Sequence, residues 1–107
     1  MNNLMATEVM GWHKEYMGYR QIADWIDADG VAQVSCTDWN PTHDPAQALQ
    51  CAEKLIEENG WEFYFKNRGF GYWNVRIFDG SELKIGMKNN PKLELAICQA
   101  IEESING

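Results

Sequence analysis

Residues 61–78 read WEFYFKNRGFGYWNVRIF, and the helix patterns on either side of this stretch need its apolar face to pack against. Two runs alternate on either side of a glycine-bearing turn, Asn67-Arg68-Gly69-Phe70-Gly71. Trp61, Phe63 and Phe65 share one face of the first run, and Trp73, Val75 and Ile77 share one face of the second. Side chains on a strand alternate with period two, so the stretch predicts an antiparallel β-hairpin with one face in the core. The opposite face carries Tyr64, Lys66, Tyr72, Asn74 and Arg76.

Working outward, Asp79-Gly80-Ser81 predicts a turn into a third strand over 82–88, with Leu83, Ile85 and Met87 facing one way and Lys84 and Lys88 the other. Upstream, Asp44 is placed to cap a helix, Pro45 suits its first position, and Gln47 completes an acid version of the capping box. Ala48, Leu49, Ala52, Leu55 and Ile56 give that helix its apolar stripe, and Asn59-Gly60 stops it. Downstream, Asn89-Asn90-Pro91 opens a last helix with Leu93, Ile97, Ala100 and Ile101 inward, widened by Leu95, Cys98 and Ile105. Residues 3–10 predict a short helix stopped at Gly11, and 13–20 read as loop. Residues 21–36 predict a second hairpin turning at Asp29-Gly30, added at the edge of the three-stranded meander. The class is therefore α+β: one domain over 1–107, with an antiparallel sheet of about four to five strands and helices packed on it, like an α/β/α sandwich.

Composition narrows the function. The formal charge is −7, and residues 1–60 carry all of it, with ten acids against three bases; residues 61–107 balance at six of each. An acidic half repels nucleic-acid backbone and attracts basic protein surfaces, so direct nucleic-acid binding is disfavoured. Three cysteines, Cys36, Cys51 and Cys98, stand far apart without a C-x-x-C pair, and read as buried apolar residues in a reducing compartment. No stretch has the length and apolarity of a membrane span, and the N-terminus lacks a signal-peptide pattern, so the expected location is the cytoplasm.

Candidate sites are few. In Asp38-Trp39-Asn40-Pro41-Thr42-His43-Asp44, His43 has an aspartate on either side, as an acid–base group would. No nucleophile or second histidine completes that constellation, so the loop reads as cap, core plug and solvated histidine, with no catalytic residue. Asp27-Ala28-Asp29-Gly30 begins like a calcium loop, but its glycine comes two positions early and Asp38 stands where a glutamate is needed. No metal or cofactor is expected. Arg68, Phe70, Tyr72 and Arg76 form the best recognition set, offering cations and aromatics at a hairpin tip for stacking and phosphate contact.

Several motifs stand in a familiar order: Glu8-Val9-Met10-Gly11-Trp12, then Trp39-Asn40-Pro41-Thr42-His43-Asp44, Trp61 to Phe65, Gly71-Tyr72-Trp73-Asn74-Val75, and Pro91 with Ala96-Ile97-Cys98-Gln99-Ala100. In this order and spacing they resemble the phage ABA-sandwich domain, a family of small phage and prophage proteins, over nearly the whole chain. The resemblance implies helices on both sides of a sheet, and it implies no enzymatic activity or catalytic residues. The expectation is a non-enzymatic accessory protein that binds a host component. In one form it is an anti-defence inhibitor, anti-CRISPR-like, whose acidic surface, with Asp24, Asp27, Asp29 and Asp38, covers the basic groove of a host nuclease or defence effector. In another it is a sponge that sequesters a nucleotide through Arg68, Phe70, Tyr72 and Arg76. In a third it is a structural or assembly protein, expected to be homo-oligomeric.

Overall fold

The two runs of the 61–78 stretch pair as antiparallel strands, Trp61–Asn67 with Trp73–Asp79. The computed structural model describes residues 1–16, 22–67, 69 and 71–106, and over 84–89 the backbone alone. In chain order the elements are α1 (Asn2–Leu4), which runs into a turn of π-helix (Met5–Val9), β1 (His13–Glu15), β2 (Asp24–Ile26), β3 (Ala32–Ser35), α2 (Pro45–Asn59), β4 (Trp61–Asn67), β5 (Trp73–Asp79), β6 (Glu82–Asn90) and α3 (Leu93–Asn106).

The class is α+β and every strand pairing is antiparallel. The strands divide into two sheets of three, ordered β1-β2-β3 and β4-β5-β6. Each has fewer strands than the single sheet of four to five that was expected. The 21–36 hairpin does not extend the meander. It pairs instead with His13–Glu15, a segment read from sequence as loop. That short run lacks apolar alternation because all three of its residues are exposed. The middle strand is covered on both sides: Trp25 and Ile26 are both buried.

Helix α2 starts and stops as its sequence predicts. The Asp44 carboxylate accepts from the Ala46 and Gln47 amides at 2.9 and 3.3 Å. Gly60, at φ 68°, takes the left-handed turn that ends the helix, and its N–H bonds to the Ile56 carbonyl. Gln47 departs from the expected box. Its side chain accepts from the Asn40 amide and donates to the Asp38 carbonyl, so it secures the preceding loop instead of the cap.

The buried stripe of α2 is Ala48, Cys51, Ala52 and Leu55, spaced i, i+3, i+4, i+7. Leu49 and Ile56, expected inside, lie outside at 37% and 44% exposure. Helix α3 buries Ala96, Ile97, Cys98, Ala100 and Ile101, while Leu93 and Ile105 pack at the margin. These two helices pack together, α3 against β5 and β6 and α2 against β4. Their residues share one core with Trp61, Val75 and Ile77 of the second sheet, and with Met5, Val9, Trp12, Trp25 and Trp39. Trp39 plugs this core as expected, 4.8 Å edge-on from Trp12, with its indole N–H donating to the Asn2 carbonyl at 2.8 Å.

The β5–β6 pairing shifts register twice, so Ile77 opposes Ile85 but Phe78 opposes Leu83. Leu83, expected to share the inward face of this strand, is exposed. The side chains of Lys84, Ile85, Met87 and Lys88 lie outside the described atoms. Strand β6 runs to Asn90, whose side chain accepts from the Lys92 amide at 3.0 Å, and Pro91 precedes α3 instead of sitting in its first turn.

Candidate functional site

The β4–β5 register pairs Tyr64 with Arg76, Lys66 with Asn74, and Glu62 with Phe78. Directly opposed residues of an antiparallel pair point to the same side, so all six side chains share the face away from Val75 and Ile77. The helices claim the Val75 and Ile77 face; among the described residues of the opposite face Tyr64, Lys66 and Arg76 are exposed, while Asn74 is buried. On it lies a concavity of about 380 Å³, lined by Tyr64, Phe65, Lys66, Asn74, Arg76 and Phe78.

Tyr64 and Phe78 meet edge-to-face with ring centroids 5.3 Å apart, an arrangement aromatic quadrupoles favour. The Tyr64 hydroxyl donates to Glu62 at 2.9 Å, and that hydrogen bond holds its pKa above the ordinary value. Two cations, Lys66 and Arg76, sit beside this aromatic pair. The arrangement offers a planar surface and fixed positive charge together, at the lower end of the volume range of small-molecule sites. This is chemistry suited to an aromatic anion.

Of the recognition set read from sequence, Arg76 lies in this concavity. Tyr72 is exposed near the hairpin tip, and its amide donates to the Gly69 carbonyl at 3.2 Å. Arg68 and Phe70 lie outside the described residues. Phe65 and Phe78 belong to the concavity but were missing from that set. For Phe78 the signal was available, because a hairpin centred on residue 70 places it beside Arg76 and Asn74 by alternation. For Phe65 it was not: alternation assigns it to the core face, yet it is 39% exposed near the strand's end.

The four aspartates separate into two pairs. Asp24 opposes Ser35, and Asp38 follows it, its amide donating to the Ser35 carbonyl, so these two sit at the open end of the β2–β3 hairpin. Asp27 and Asp29 occupy the turn. The Asp27 carboxylate accepts from the Val31 and Asp29 amides, each at 2.9 Å, and from the Gln33 side chain at 2.7 Å. Those bonds, led by that from Val31, hold its pKa below the usual carboxylate value. The carboxylate thus shapes the turn, the role the shortened calcium-loop pattern disguised. Asp27 and Asp29 also line a second open cleft of about 400 Å³ with Trp12, Lys54 and Glu58, where Lys54 and Glu58 pair at 2.8 Å.

The Asn40–Asp44 loop is a structural knot. His43 Nδ1 lies 3.1 Å from Asn40 Oδ1 and 3.0 Å from Thr42 Oγ1, while Asp44 caps α2. Asn2 joins the knot through Asn40 and Thr42. Cys51 and Cys98 are buried, and burial pushes both thiols up to about 12. Cys36, expected inside, is only half-buried. Among the described residues no three His, Cys, Asp or Glu side chains gather as a metal site, and no helix is long and apolar enough to cross a membrane.

With the fold and this face in hand, comparison with known proteins places the chain. The family model of the phage ABA sandwich domain matches residues 3–101. The chain belongs to this family. No curated protein and no solved structure matches it.

Proposed function

We propose that this member of a phage domain family is a non-enzymatic binding protein of the host cytoplasm. On this reading it holds a nucleotide-like ligand on the outward face of the β4–β5 hairpin and sequesters it without turnover. The observation that carries the reading is the convergence of Tyr64, Lys66, Arg76 and Phe78 around one open concavity. A base stacks on the aromatic pair, and stacking of this kind contributes about 1–3 kcal/mol per base. Arg76 and Lys66 take the phosphate, and a hydrogen bond to a charged group contributes about 1.5–3 kcal/mol. The face also lies on the half of the chain whose charges balance, not on the half that carries −7.

Equilibrium titration with a panel of adenine and guanine mono- and diphosphates and cyclic dinucleotides tests this. At least one member binds, more weakly as salt rises. Arg76→Ala weakens it by roughly tenfold or more while leaving the circular dichroism spectrum unchanged. A panel without a binder, or binding indifferent to Arg76→Ala, overturns the proposal.

A second reading rests on the acid-rich first half, where Asp29, Asp38, Glu8, Glu53, Glu57 and Glu58 are exposed. They suit a basic host surface such as the nucleic-acid groove of a defence effector. On this reading, reversing the charge of Asp24, Asp29 and Asp38 together abolishes inhibition of that effector. Asp27 is left intact in the test because it shapes the turn.

A further inference from the structure

Strand β4 is an edge strand: β5 pairs with it on one side, and among the described residues no strand pairs on the other. It runs seven residues, Trp61–Asn67, with no proline, glycine or bulge. Exposed edges of this length leave a row of backbone N–H and C=O groups ready to pair, and natural proteins normally blunt them. Here the residues flanking the strand centre are charged, which ordinarily deters pairing. Their arrangement about Tyr64 does the reverse. Glu62 and Lys66 stand two residues to either side of Tyr64, both exposed and both on the outward face.

From this symmetry we infer that β4 is a self-complementary dimerisation edge, whose occupant is a second copy of this chain. In an antiparallel pairing with a two-fold axis through Tyr64, Glu62 stands opposite Lys66 of the partner subunit, and the same pair recurs across the axis. Opposite charges directly across a ladder attract, and like charges repel. On the other face Phe63 stands opposite Phe65 of the partner subunit. Phe65 is 39% exposed and Phe63 half-buried in the single chain. A strand slipped so that the axis passes through Phe63 sets Glu62 opposite Tyr64 and loses both ion pairs, so the charges disfavour that register. The product is one six-stranded sheet, closed by isologous symmetry, with its outward face continuous across the axis. The inference shares Tyr64 and Lys66 with the ligand reading, but it is read from the association state with no nucleotide present, so the two fail separately.

Sedimentation equilibrium over a concentration series tests it. The wild-type chain shows a monomer–dimer equilibrium. The single variants Glu62→Lys and Lys66→Glu each set like charges opposite one another twice, and raise the dimer dissociation constant by about tenfold or more. The doubly swapped chain, carrying both substitutions, recovers to near the wild-type value. These positions are exposed, so the chains stay folded, which circular dichroism checks. In a separate variant, Tyr64→Cys places two thiols across the axis and cross-links the dimer on oxidation, whereas Asn67→Cys does not. A chain that stays monomeric up to millimolar concentration overturns the inference. So does a dimer indifferent to the single swaps, which points to another surface, or a series of larger assemblies, which points to head-to-tail pairing of β4 with β6.

Discussion

Asp27 and Asp44 perform related tasks with the same side chain. Each turns its carboxylate onto backbone amides that the chain would otherwise leave unpaired, one in a hairpin turn and one at a helix start. Asp44→Ala is expected to cost about 1 kcal/mol, read from denaturant unfolding. For Asp27 the effect is one of pH. Its folded pKa lies below the ordinary value of 3.8, so its contribution is present above that value and is lost as pH falls through the folded pKa. Asp27→Asn therefore flattens the acid limb of the stability curve. The thiols show the opposite sign. Cys51 and Cys98 ionise near 12 in the fold against 9 unfolded, so stability falls as pH rises from about 9 toward 12. At neutral pH an alkylating reagent should modify half-buried Cys36 in the native protein, and Cys51 and Cys98 only when the chain unfolds. Equal labelling of all three without denaturant would contradict this burial pattern.

At the scale of elements, α2 makes the sharpest distinction between neighbouring apolar residues. Leu55 is buried at 4% exposure and Leu49 lies outside. Leu55→Ala is expected to cost about 2–5 kcal/mol, and Leu49→Ala to stay within about 0.5 kcal/mol. Similar losses at the two positions would show that the helix is rotated about its axis from the orientation described. The same helix shows what the sequence could and could not reveal. Its cap and stop are local chemistry, set by Asp44, Pro45 and Gly60, and they were legible. Which of several apolar residues faces inward depends on the elements packed against it, and there Cys51 displaced Leu49 and Ile56. Strand β1 was hidden for the same reason, because an exposed three-residue strand is defined by its partner and carries no pattern of its own. In the candidate site, period-two alternation was enough to gather Tyr64, Lys66, Asn74 and Arg76. The exposure of Phe65, two residues from the strand's end, is not encoded in alternation. The register shifts of β6 lay equally beyond it.

The second sheet sets one face against two helices and carries exposed Tyr64, Lys66 and Arg76 on the other, aromatic and locally cationic. The chain's acidity lies elsewhere, in its first sixty residues. That separation gives the two surfaces distinct electrostatic signatures. On the two proposed readings, ligand binding at the sheet face would respond to Arg76 and association with a basic protein to the acids of the first half, so variants at these positions tell the two apart. Native mass spectrometry of the protein recovered from lysate of its host cell distinguishes a bound nucleotide from a bound protein. A mass increment of nucleotide size that disappears in Arg76→Ala is expected if the sheet face holds such a ligand. Recovery of the bare chain, or of the chain with a large basic protein and no small ligand, would contradict it.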